Sequence, residues 1–440
     1  MQLTGKASIR GALTAITTAL LGTVAVQAAD GDKLESSLLI YSETDRVQAA
    51  EAIVNYSRAL AGGRMLTGRF TIDGLTGASP SGATPSSGIQ SFTRPSGNGL
   101  YNAAPGEIPL DDTFKDTRFS FDGSFTQPLD RMTSLVFGAH VSSEHDYTSL
   151  GGNIGFSRDF NKRNTTLSLS TAFSHDIVSP EGGAPDPLGL MALSSGGDDD
   201  EGEDEFEFEE DDDGLEGGGS SENKNVFDVV FGLTQVLDRK TVFRVNYSFN
   251  HTSGYLNDPY KILSVVQGPT DPFPGEPVDY RYESRPDNRT KHAVFAQTRR
   301  FVGGHTVDLS YRYFWDNWGI TSHTVDLFWR IPISGQHALR PHVRYYKQTE
   351  ADFYRTYLVD GAPVPVNASA DYRLAPFHAL TLGMQYLFPV ARGGHFSIGA
   401  EYYSQVGDLS PPQSMGPLSR YDLYPDMDAL MVRVGYSYDF

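Results

Sequence analysis

Arg340, His342 and Arg344 stand at alternate positions of one segment, so an extended strand puts all three bases on one face. Such a stripe suits two kinds of chemistry. Lining a water-filled passage, it forms an anion-attracting constriction, because rings of Arg or Lys select anions. Paired with acids on neighbouring strands, it forms a network that stiffens or plugs the wall. Arg312 and Asp308 share a face of one nearby segment, and Arg330 and Asp326 share a face of another. Asp308 and Asp326 are the expected acid partners. Arg244, Asp73, Asp122 and Glu401 fall on the corresponding side of their own segments, giving a mixed polar surface.

Catalytic chemistry finds little support. His140, Glu144, His145 and Asp146 lie close together, but no nucleophile stands beside a base and the nucleophile-elbow pattern is missing. His323 and Asp326, three apart, fall on opposite faces of a strand. None of the 11 histidines forms an H-x-x-x-H pair, and there is no cysteine, which removes thiolate, disulfide and Cys-nucleophile chemistry together. No enzyme activity, cofactor or metal centre is expected from local spacing, which is blind to ligands on separate strands. The acidic balance, a formal net charge of −20, argues against nucleic acid as a partner.

The elements that carry these residues alternate strictly. In the last segment Phe440, Tyr438, Tyr436, Val434, Val432 and Leu430 share one face, and Asp439, Ser437, Gly435 and Arg433 the other. Lys240–Asn250, Gly304–Asp316 and Leu135–Ser142 repeat the pattern. Runs this long match tilted membrane-spanning strands better than ordinary globular ones. A mean hydropathy of −0.35 is compatible, since barrels interleave their apolar residues with polar ones. The terminal aromatics Phe440, Tyr438 and Tyr436 resemble the carboxy-terminal assembly signal of outer-membrane barrels, which implies the barrel-assembly machinery and outer-membrane lipid as partners.

The connections sort into two classes. Short ones lie near Ala61–Gly63, Pro128–Asp130, Asn161–Lys162, Leu237–Arg239, Gly303–Gly304, Ser334–Gly335 and Arg392–Gly394. Long ones alternate with them: Leu75–Lys115, Ser179–Glu222, Tyr255–Pro286, Asp352–Ala370 and Asp408–Asp426. Two further short turns, near Ser149–Gly151 and Asn317–Gly319, fall in the long register. This parity is that of short periplasmic turns and long extracellular loops. The predicted fold is all-β: a transmembrane antiparallel β-barrel of about 16 strands, within a range of about 14–18, its first strand Glu35–Tyr41 turning at Ser42–Asp45. An even count places both termini in the periplasm.

Met1–Ala28 reads as a secretory signal, with Lys6 and Arg10 before an apolar run and Val26-Gln27-Ala28 at the cleavage position. Ala29–Phe440 is then the barrel. Ser194–Ser221 is an acidic insert in one loop: Asp198–Glu216 holds 14 acids and no base between Gly/Ser flanks, which predicts disorder. It reads as a repulsive solvated loop, or as a weak site for divalent cations or a basic partner, although the spacing of an EF-hand loop is absent.

Leu38-Leu-Ile-Tyr-Ser-Glu-Thr-Asp-Arg-Val47 and Phe70-Thr-Ile-Asp-Gly-Leu-Thr-Gly-Ala-Ser-Pro-Ser-Gly82 resemble an uncharacterised Gram-negative family, catalogued as a domain of unknown function and regarded as outer-membrane barrels. The resemblance implies the same location and brings no catalytic or binding residues. It also implies proximity to redox-linked envelope proteins. Two functions therefore stand: a channel or porin-like conduit for small polar solutes, or a non-conducting scaffold that holds a periplasmic or extracellular partner, in a redox-linked system by the resemblance.

Overall fold

The computed structural model describes residues 31–440 except 45, 78, 94–99, 112–114, 181, 192–220, 391–392, 408–414, 422 and 425. The signal segment and nearly all of the acidic insert therefore lie outside the described residues. Sixteen antiparallel strands close into one barrel. In chain order they are β1 (Lys33–Glu43), β2 (Val47–Leu60), β3 (Arg64–Gly77), β4 (Lys115–Pro128), β5 (Thr133–Ser143), β6 (Tyr147–Phe160), β7 (Thr165–Val178) and β8 (Glu222–Asp238). The second half comprises β9 (Thr241–Gly254), β10 (Asn288–Val302), β11 (His305–Asp316), β12 (Thr321–Ser334), β13 (His337–Gln348), β14 (Phe377–Pro389), β15 (His395–Gly407) and β16 (Met427–Asp439). Each strand pairs with its sequence neighbours, and β1 closes on β16 with Leu34 opposite Tyr438 and Ser36 opposite Tyr436. Closure leaves no unpaired edge, which a spanning sheet requires.

Alternation sorts the side chains as expected. Phe70, Phe121, Leu169, Phe231, Leu309, Val343, Leu382 and Leu430 face outward and are exposed on the isolated barrel, whereas Asp308, His342 and Thr381 face inward and are buried. On β13 the outward positions between His337 and Lys347 are Leu339, Pro341, Val343 and Tyr345. Ten residues of tilted strand rise about 25 Å, the height of a barrel's apolar belt. No helix among the described residues is long and apolar enough to cross a membrane.

One turn differs from the sequence reading. Ser149–Gly151 lies inside β6, and the chain reverses at 144–146, where the Glu144 amide bonds the Tyr147 carbonyl at 2.7 Å. Gly151 looked like a turn signal. In the sheet it allows close strand approach, since a Cβ there would meet the Phe173 carbonyl at 2.8 Å. The first two strands also run longer than expected from alternation alone.

The buried apolar core sits at the long-loop end, where five loops fold into a cap. Ala83, Phe92, Tyr101 and Ala103 pack on Met191 and Ile262, joining three loops. Trp318, Ile320, Phe353, Tyr354, Leu374 and Tyr424 join the others. A three-stranded sheet, Pro277–Tyr282, Ile262–Val266 and Leu358–Val359, runs through the middle.

Candidate functional site

The lumen wall brings the basic stripe into a specific network. His342 Nδ1 lies 3.0 Å from Glu401 Oε1, and Nε2 lies 3.3 Å from Asp326 Oδ2, so each ring nitrogen faces a carboxylate oxygen. The imidazole stacks on Phe328 with centroids 4.0 Å apart and planes 8° off parallel. Arg340 covers the same Phe328 ring, its guanidinium carbon 4.1 Å from the centroid. Glu401 reaches His342 across an intervening strand: His342 is in register with Gly383, and Gly383 with Glu401. A Cβ at Gly383 would meet Glu401 Cγ at 2.7 Å, so this glycine opens the path for the carboxylate.

The remaining stripe residues distribute differently. Arg344 stands in register between Asp326 and Thr381. Arg312 lies 5.7 Å from the Phe314 ring, and Arg330 stands opposite Thr306 near the short-turn end. Asp308 does not join the stripe. It takes Arg299, through Nε at 2.8 Å and Nη2 at 2.6 Å, together with Gln297 Nε2 at 2.6 Å. Asp308 and Arg299 are register partners, and Arg299 was outside the sequence reading. Elsewhere on the wall Arg118 forks onto Asp73 at 2.8 and 3.0 Å, and His140 meets Asp122 at 2.7 Å. Arg289 holds Asp316 and lies 4.2 Å over Trp318, tying the wall to the cap.

A second constellation lies in the cap. Alternating charges run Glu283–Arg285–Asp371–Arg373–Asp258. Arg285 Nη2 bonds Glu283 Oε2 at 3.0 Å and Asp371 Oδ2 at 2.8 Å, Arg373 Nε forks onto Asp371 at 2.8 and 2.9 Å, and Arg373 Nη2 reaches Asp258. Glu283 and Asp371 are almost fully buried, as is Lys261, whose Nζ bonds the Pro80 carbonyl. Burial opposes ionising Asp371, but Arg373, Lys261 and Arg285 outweigh it and hold the carboxyl well below its ordinary range. Glu283 shows the reverse balance: burial, aided by Asp258 and Asp371, pushes it up to about 7 against the pull of Arg285. Burial pushes the Lys261 ammonium down. A cavity of about 700 Å³ opens beside this network, walled by Phe92, Tyr101, Tyr260, Lys261, Tyr282 and Arg373.

Asp116, Glu144 and Asp146 place carboxylate oxygens within 4.8 Å of one another, the one group among the described residues with the oxygens for a hard cation. Residues so far apart on the chain escape local spacing. Arg118, 3.9 Å from Glu144, already supplies positive charge there, and Asp146 accepts a hydrogen bond from Tyr260. Burial, then Asp116, pushes Glu144 up to about 7.

The molecule is thus a closed 16-stranded antiparallel β-barrel with an apolar exterior, a charged lumen wall and a packed loop cap. Its residues 10–438 match the model of the family described as protein of unknown function (DUF3570), and the chain belongs to that family. No curated protein matches. Solved structures similar in outline include a bacterial polysaccharide outer membrane secretin, 7% identical, covering 93% of this chain and 99% of that one, at a TM-score of 0.43. A ferric enterobactin receptor (PfeA) mutant from Pseudomonas aeruginosa is 10% identical, covering 93% of this chain and 60% of that one, at 0.44. The toluene transporter TodX of Pseudomonas putida is 11% identical, covering 96% and 93%, at 0.37. At such scores these proteins lend this chain neither a solute nor a partner.

Proposed function

We propose that this protein is a capped conduit for small polar solutes in the outer membrane of a Gram-negative bacterium, its termini periplasmic and its cap extracellular. The polar, ion-paired inner face of a 16-stranded wall carries the reading, because a barrel of about this size holds an aqueous channel unless something fills it. The wall residues pair along the surface: His342 with Asp326 and Glu401, Asp308 with Arg299, Arg118 with Asp73. Arg340 and Arg344 add positive charge near the His342 network and bias passage toward anions. The cap, with its own apolar core and buried ion network, is a folded gate. Its five loops open when that network loosens.

Phe440, Tyr438 and Tyr436 serve insertion. They end the closing strand, where the Phe440 amide bonds the Asp32 carbonyl at 2.9 Å. The packed cap also favours a second reading, a closed scaffold that displays the loops to a partner. Flux of small sugars and of organic anions into proteoliposomes separates the two. The conduit gives flux that Arg340→Ala together with Arg344→Ala shifts away from anions. Absence of flux from folded protein, with the cap loosened as well as intact, leaves the scaffold.

A further inference from the structure

The outward faces of β9 to β12 carry a continuous aromatic and imidazole stack near the cap end. His292 lies 5.1 Å from Trp315 with planes 12° off parallel, Trp315 lies 5.4 Å from Tyr313, and Tyr313 lies 5.1 Å from His323. Each histidine in the stack is held by a tyrosine hydroxyl from the neighbouring strand. Tyr247 Oη is 2.9 Å from His292 Nδ1, and Tyr311 Oη is 2.6 Å from His323 Nδ1. Cross-strand register sets Lys347 beside His323 on one side and His378 on the other. The outward faces of β10 to β14 hold no acid: Asp308, Asp316 and Asp326, the acids of these strands, pair on the inner side with Arg299, Arg289 and His342. Next along the same faces come Val294, Val325, Val343, Tyr345 and Leu380, so the stack marks one edge of the apolar belt.

We propose that this patch grips the phosphate groups of membrane lipid at the cap-side boundary of the bilayer. With the tyrosine hydroxyl as the donor to Nδ1, a neutral imidazole carries its proton on Nε2, which then donates outward. His292 and His323 thus offer N–H donors to a phosphate oxygen without needing to be charged. Lys347 adds a full positive charge, and the flanking rings settle at headgroup depth, where amphipathic aromatics collect. A lone basic residue on a barrel exterior would say little. Here two imidazoles held alike, an ammonium in register between one of them and a third imidazole, and an acid-free face converge on one level.

The inference rests on the barrel being embedded in a membrane but not on conduction, so a barrel that passes no solute leaves it standing. The test is native mass spectrometry of the detergent-folded full chain, titrated with phosphatidylglycerol, with phosphatidylcholine and with inorganic phosphate, folding being checked by heat-shifted gel migration. Wild type retains phosphatidylglycerol in preference to phosphatidylcholine, and free phosphate competes weakly. His323→Ala combined with Lys347→Ala weakens retention at least about fivefold, and Lys347→Arg keeps it. Tyr311→Phe is the diagnostic variant. Freed of its hydroxyl partner, the ring can carry its proton on either nitrogen, so retention drops, and Tyr311→Phe adds no further loss when combined with His323→Ala. Equal retention of both lipids by wild type, or unchanged retention in the folded double variant, overturns the proposal. So does displacement by inorganic phosphate at concentrations equal to those of the lipid.

Discussion

Glu283→Gln should remove most of a pH dependence built into the cap. Glu283 is almost fully buried, and burial raises its carboxyl from an ordinary value of 4.5 to about 7. Between those limits the folded cap keeps a proton that the opened cap releases, so cap stability falls as pH rises and is lowest above about 7. The difference is worth about 3 kcal/mol at full extent, or a few hundredfold in the opening equilibrium. Glu144 at the nearby rim is also pushed up to about 7 by burial and by Asp116, and it acts in the same direction. Asp371 is held ionised throughout and adds no slope in this range. Hydrogen exchange of peptides spanning 258–284 and 366–374, corrected for intrinsic rates, reads the opening directly. Wild-type protection should fall steeply from pH 5 to pH 8, whereas Glu283→Gln should keep only the shallower slope left by Glu144. Equal slopes in the two proteins, or protection that rises with pH, would refute the reasoning.

Gly383→Ala should push Glu401 off His342, since the new Cβ would sit 2.7 Å from Glu401 Cγ. The loss of one part-exposed charged hydrogen bond should lower the urea midpoint by the equivalent of about 1 kcal/mol and alter conductance more than stability. Arg340→Ala with Arg344→Ala should move the reversal potential in a salt gradient toward cation preference. Deleting Phe440 should reduce the heat-modifiable barrel recovered in outer membranes while leaving detergent refolding of purified chain largely intact. Deleting Asp198–Glu216 should leave the urea midpoint unchanged and lower the number of calcium ions taken up in equilibrium dialysis.

The barrel was legible because a half-buried strand writes itself with period two, and because long and short connections alternate at opposite rims. Sixteen strands and the loop parity followed from those two signals. Ser149–Gly151 misled because glycine marks both turns and close strand contacts, and only the register of β6 with β7 separates them. The lumen stripe was legible as a face but not as a set of pairs. Glu401 was visible as an inward acid, yet it lies two strands from His342 and their link depends on Gly383 on the strand between them. Asp308 looked like a partner of the stripe because its own partner, Arg299, lies on the neighbouring strand, a pairing set by register and not by local spacing. The cap was not legible at all. Asp258 and Arg373 are 115 residues apart, and Glu283 and Asp371 are linked through Arg285 and Ser369. Irregular loops carry no period from which such contacts could be read. The exterior histidines left a faint signal, occurring at outward positions near strand ends beside aromatics, as His292, His323 and His378 do.

Single-channel recording of the detergent-folded protein in a planar bilayer tests the central claim most directly, with pH 5 and pH 8 compared across a salt gradient. The capped conduit predicts discrete steps with an anion-leaning reversal potential, and more frequent opening at pH 8 than at pH 5. Silence at both pH values, from wild type and Glu283→Gln alike and with folding shown by heat-shifted migration, would contradict it.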